Sequence, residues 1–93
     1  MHSSIYKSEL FIKGMKVKNS WKIECRHTPE TIDRILMPIR KRGLMVLSFN
    51  YKQSTATTAI CNIEFELDAI DAERVYKNML RIQDIENVIR EAV

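Results

Sequence analysis

Residues 57 to 67 read Thr-Thr-Ala-Ile-Cys-Asn-Ile-Glu-Phe-Glu-Leu. Ala59, Cys61, Ile63, Phe65 and Leu67 alternate with Ile60, Asn62, Glu64 and Glu66. Successive side chains of a strand point to opposite faces, so this run has one dry face and one mostly wet one. A strand of that kind needs cover on one side only, which restricts the chain to a sheet buried on a single face. Ser20 to His27 repeats the pattern, with Trp21, Ile23 and Cys25 set against Lys22, Glu24 and Arg26.

Two amphipathic segments can supply the cover. In the first, Ile32, Ile35, Leu36 and Ile39 recur at helical spacing. Thr28 is the expected N-cap and Pro29 the first helical residue, where a missing N–H costs nothing. Glu30 and Asp33 lie near the positive end of the dipole, and Arg40, Lys41 and Arg42 near the negative end. Gly43 is the expected C′ residue. Pro38 cannot donate to the Arg34 carbonyl, so a kink or a loosened last turn is expected. In the second segment Asp68 or Asp71 caps a helix whose apolar positions are Ala72, Val75, Met79 and Ile82.

Leu44 to Lys52 is apolar and aromatic on both faces. Leu44 and Val46 have one parity; Leu47, Phe49 and Tyr51 have the other. The polar turn Gln53-Ser54-Thr55-Ala56 joins it to the 57–67 strand as an antiparallel hairpin. Gln83-Asp84 interrupts the second helix, and Ile85 to Ala92 gives a weaker last strand with Val88 as its core residue. The order β-α-β-β-α-β predicts an α+β, ferredoxin-like domain. Strands one and three are central, two and four are edges, and both helices cover one face. Residues 20–93 form this domain. Residues 1–19 read as an N-terminal extension or an upstream translation start, with Leu10, Phe11 and Ile12 as a short strand or packing arm.

An apolar fraction of 45% and a charged fraction of 29% fit a globular chain of one modest core. No apolar run approaches a membrane span of about 20 residues. The first residues lack an apolar signal core, which predicts a cytoplasmic protein. Cys25 and Cys61 have no metal-ligand spacing and read as two buried thiols. Residues 1–46 hold ten Lys/Arg and four Asp/Glu; residues 47–93 hold five and eight. The basic half admits nucleic acid. However, Glu64 and Glu66 on the open face of the sheet repel phosphate. Arg42-Gly43-Leu44-Met45 also lacks the aromatic of an RNA-recognition motif and falls on the second strand, where that motif needs the third. No phosphate-cradling loop, metal-ligand set or nucleophile–base pair is legible, so neither catalytic residues nor a cofactor is expected. Acylphosphatases share the size and topology, but Arg26-His27-Thr28-Pro29 lacks the glycines for their anion loop.

Pro29, Arg34, Arg42, Gly43, Val46 and Ser48 carry a family resemblance. From Trp21 to Asn50 the chain resembles the ACT domain of acetolactate synthase small (regulatory) subunits, most closely the short type with a single ACT domain. Thr28-Pro29-Glu30-Thr31 stands where that type has Asn-Pro-Glu-Thr. The resemblance loosens toward Leu67 and does not cover residues 1–15. It implies a non-catalytic subunit that activates or stabilises a thiamine-diphosphate-dependent catalytic subunit in branched-chain amino-acid biosynthesis. It places an effector site at His27, Thr28, Glu30 and Thr31. His27 stands for the family's ligand-contacting Asn and Glu30 for its Gly, so bulk and negative charge sit where an effector carboxylate would dock. Binding of valine, leucine or isoleucine is therefore expected to be weak or absent. A homodimer is expected through the edge strand at Leu44, Val46, Leu47, Phe49 and Tyr51, and partner contact through Arg40, Lys41 and Arg42. The alternatives are a stand-alone ACT-type amino-acid sensor and, more weakly, an RNA-binding module.

Overall fold

A computed structural model describes residues 16–91. The elements are β1 (Val17–Arg26), α1 (Thr31–Lys41), β2 (Met45–Gln53), β3 (Thr58–Leu67), α2 (Ala69–Leu80) and β4 (Ile85–Glu91). The four strands form one antiparallel sheet in the order β2-β3-β1-β4. This is the expected βαββαβ arrangement. The reading of Leu10–Ile12 falls outside the described residues.

The alternating strands meet the helices with the parity the sequence dictates. Trp21, Ile23 and Cys25 of β1 and Ala59, Cys61, Ile63, Phe65 and Leu67 of β3 are buried, together with Ile35 and Ile39 of α1 and Ala72, Val75 and Met79 of α2. Trp21 stands edge-on to Phe65 at 4.8 Å and to Tyr76 of α2 at 5.9 Å. Arg90 of β4 stacks on the other partner's ring, 3.8 Å from the Tyr76 centroid, and donates to Glu73 at 2.7 Å. Aromatic and cation–π contacts thus pin α2 across β1 and β4. On the open face Lys18 meets Glu64 at 3.5 Å, and Asn87 donates to Glu24 at 3.4 Å.

Both helix ends near residue 68 and residue 43 follow their sequence signals. Asp68 accepts from the Asp71 amide at 2.8 Å, so Asp68 is the cap of α2. Gly43 has φ +65°, with its amide bonded to the Arg40 carbonyl and the Leu44 amide to that of Ile39. That pair of bonds is a Schellman motif.

Five expectations are corrected. β1 begins at Val17, ahead of Ser20, because it pairs with β3 as far as Leu67. α1 begins at Thr31, so Thr28 is not its N-cap. Glu30 holds that position, with φ −96° and ψ −7°, and its side chain makes no capping bond. Pro29 instead occupies the second place of a turn closed by the Thr31 amide on the Thr28 carbonyl at 3.2 Å. Ile32 is 39% exposed, because Thr31 takes the inward place that a helical stripe gives to an apolar residue. In β2 the register slips between Val46 and Ser48, so Val46, Phe49 and Tyr51 oppose the buried Phe65, Ile63 and Cys61. Leu47 is the extra residue of this bulge, which is how one strand carries apolar residues of both parities on the same side.

Candidate functional site

The segment that follows β1 is fixed at both flanks by the backbone. The Arg26 amide donates to the Asp84 carbonyl and the His27 amide to the Thr57 carbonyl, each at 2.8 Å. It is therefore held between the hairpin turn and the turn that joins α2 to β4.

Beneath it lies a polar cluster centred on Asp84, which is 4% exposed. Arg34 Nη1 donates to Asp84 Oδ2 at 2.7 Å. Thr28 Oγ1 lies 3.2 Å and Thr31 Oγ1 3.3 Å from the same oxygen. Each hydroxyl has one proton to give. The shortest contact of Thr31 is to the Arg26 carbonyl at 2.7 Å, which leaves its oxygen to accept from the Thr28 amide at 3.0 Å. Thr28 then accepts from the Glu30 amide at 3.3 Å and gives its proton within the cluster. A buried carboxylate persists when charge and hydrogen bonds compensate its desolvation, and this set supplies both. No buried side-chain polar atom among the described residues lacks a partner.

Above the cluster His27 is exposed and its Nδ1 lies 2.9 Å from Tyr51 Oη, a bond that ties the loop to β2. Burial raises the Tyr51 hydroxyl above its ordinary range. Burial likewise pushes the Cys25 thiol up to about 11 and that of Cys61 up to about 12. Both sulfurs are inside the core and unpaired with each other. Held protonated, they are poor nucleophiles near neutrality.

The four residues assigned to an effector are not equivalent. His27 and Thr28 line an open cleft of about 420 Å³ with Arg26, Ala56, Thr57, Thr58 and Glu86. Thr31 is fully buried below it, and Glu30 stands at the helix start outside the lining. A ligand in the cleft would meet a cation from β1, a carboxylate from β4, an imidazole and three threonines. Arg26, Thr57 and Glu86 are additions that sequence reading missed. Their only signal was adjacency to strand ends, and three separate loops must converge before they share a space.

The other assigned residues lie elsewhere. Met45, Val46 and Leu47 are exposed along β2, whereas Leu44, Phe49 and Tyr51 pack partly on the core. Arg40, Lys41 and Arg42 close α1, and Arg42 also reaches Asp71 at 3.6 Å, tying the end of α1 to the start of α2. No group of three His, Cys, Asp or Glu side chains that could hold a metal occurs among the described residues. No described helix is long and apolar enough to cross a membrane.

No protein-family model matches the chain, and no curated protein matches its sequence. Solved structures do match. The ACT domain from GTP pyrophosphokinase of Chlorobium tepidum superposes in its crystal form with a TM-score of 0.72 at 12% identity, over 83% of this chain and 100% of that one. Its solution structure gives 0.68 at 11%, over 84% and 89%. The fold is the ferredoxin-like fold of ACT domains. The C-terminal domain of the MgtC protein from Mycobacterium tuberculosis has it too, with a TM-score of 0.66 at 11% identity, over 82% of this chain and 86% of that one. At such identities the likeness is one of fold.

Proposed function

We propose that this chain is a non-catalytic regulatory subunit, acting by contact with another protein, and that the partner is the catalytic subunit of a thiamine-diphosphate-dependent acetolactate synthase. The ACT-type fold supports a regulatory role. The register of Thr28-Pro29-Glu30-Thr31 and of Arg42, Gly43, Val46 and Ser48 with the short acetolactate synthase small subunits supports the partner. The observation that carries the reading is the state of the loop after β1. Its hydroxyls are spent on bonds to one another, to the Arg26 carbonyl and to Asp84, and Glu30 puts a negative charge at the dipole-positive start of α1. The loop is built as a rigid support, and the exposed chemistry lies on β2 and on the basic end of α1. The first committed reaction of the pathway belongs to the partner.

The test is to mix the purified chain with its cognate catalytic subunit. Acetolactate formation from pyruvate rises, and a complex is seen at low salt. A catalytic subunit fully active alone, with no complex at low salt, refutes the assignment.

A free-standing amino-acid sensor is the second reading, and the cleft beside His27 favours it. Arg26 and Glu86 line the same space, and a free amino acid carries one group for each. Calorimetric titration with valine, leucine and isoleucine separates the two readings. The regulatory subunit binds them weakly or not at all, and a tight stoichiometric isotherm favours the sensor. Glu30→Gly removes the competing carboxylate and gains affinity if the helix start is still an anion niche.

A further inference from the structure

A trough of about 640 Å³ runs along the outer seam of the two helices, lined by Arg34, Met37, Pro38, Lys41, Arg42, Asn78 and Ile82. Its lining sets three apolar side chains, Met37, Pro38 and Ile82, beside three cations, Arg34, Lys41 and Arg42. Met37 is 53% exposed, an unusual setting for a flexible thioether that packs against irregular apolar partners. Lys41 forms no ion pair among the described residues. Arg34 and Arg42 lean on Asp84 and Asp71 but keep 43% and 32% of their side chains in solvent. No described lining residue is acidic. Beyond Met37 a second hollow is lined by Asp33, Met37, Arg40 and Lys41, so Met37 and Lys41 border both, and Arg40 there is offset by Asp33.

We propose that this trough docks an acidic amphipathic helix of a partner protein. Helices offer no spare backbone edge, so an extended peptide finds no ladder here. A trough between two helices suits a third helix that seats apolar anchors at i, i+3 and i+4. From Arg34 to Arg42 the helix advances roughly 12 Å, about two turns, so carboxylates flanking the anchors reach both cationic ends. Charge argues against self-occupancy by residues 1–15, which carry Lys7 and Lys13 against Glu9 alone. The docking rests on the contact-regulation reading above and gives that contact its chemistry.

A displayed library of random peptides of about sixteen residues, panned against the full chain, tests it without any synthase. The expected clones carry Asp or Glu on both sides of an apolar stripe, and their affinity falls as salt rises. Met37→Glu and Lys41→Gln, both on exposed side chains, weaken them about tenfold or more while the chain stays folded by thermal melt. Clones without acidic enrichment, clones that bind the variants equally, or no enrichment at all overturn the proposal. So does a change in the chain's own sedimentation on Met37→Glu, which would mean a second copy covers the trough. Acidic peptides that dock in the trough while acetolactate synthase stays unaffected would refute the partner and leave the docking site standing.

Discussion

Asp84 comes from the one stretch, Gln83-Asp84, that reads in the sequence as a mere interruption. Its role depends on Arg34, Thr28 and Thr31, some fifty residues away, and no local pattern announces a partner at that distance. Thr31 was hidden for a related reason, since a threonine seldom takes the inward place of a helix unless its hydroxyl is satisfied. The cluster sets an order of costs. Arg34→Met strands a buried carboxylate on hydroxyls alone and costs about 2–3 kcal/mol, just under the usual span of about 3–5 because Arg34 is partly in solvent. Asp84→Asn keeps an acceptor oxygen, sheds the charge and costs less, about 1 kcal/mol. Urea denaturation of the two variants checks the order. The thiols make a second prediction. Their folded values lie above the ordinary 9.0, so the folded state holds protons that the unfolded chain releases. Their contribution is whole below about pH 9 and is lost as pH rises toward the folded values. Melting temperature therefore falls on the alkaline side, and falls less steeply in Cys25→Ala/Cys61→Ala.

Helices and strands were legible where one chemical signal sufficed. β3 could be read from parity alone, α2 from its stripe and a cap left open between Asp68 and Asp71, and the end of α1 from Gly43. A Cβ at Gly43 meets no atom within 4 Å, so Gly43→Ala is penalised by its positive φ alone, at about 1 kcal/mol. Asn, which tolerates that conformation better, costs less in the same melt. β2 was harder, because a bulge reverses parity without leaving a mark in composition. The structure puts Met45, Val46 and Leu47 in solvent on an edge strand with Lys52 as its only charge. Edges of that kind pair unless charge forbids it. The chain is expected to be a dimer at micromolar concentration, and Leu47→Lys to shift its sedimentation toward the monomer.

At the scale of the molecule, charge divides by half rather than by layer. Ten of the fifteen basic residues fall within residues 1–46, and the end of α1 concentrates three of them. Electrostatic attraction across a contact acts chiefly on encounter rate and register. Arg40→Glu/Arg42→Glu is expected to slow association with the catalytic subunit at low salt, and the difference to shrink as salt rises. The strand order carries one more consequence. β4 is the last strand made and lies beside the first, and the turn before it holds the carboxylate on which the loop after β1 rests. On a growing ribosomal chain, residues 26–31 must wait for more than fifty others before their anchor exists. In the finished protein any opening of the last strand loosens that loop in the same event. Hydrogen exchange at the Arg26 amide should then run at the rate of β4, and not at that of the hairpin beside it.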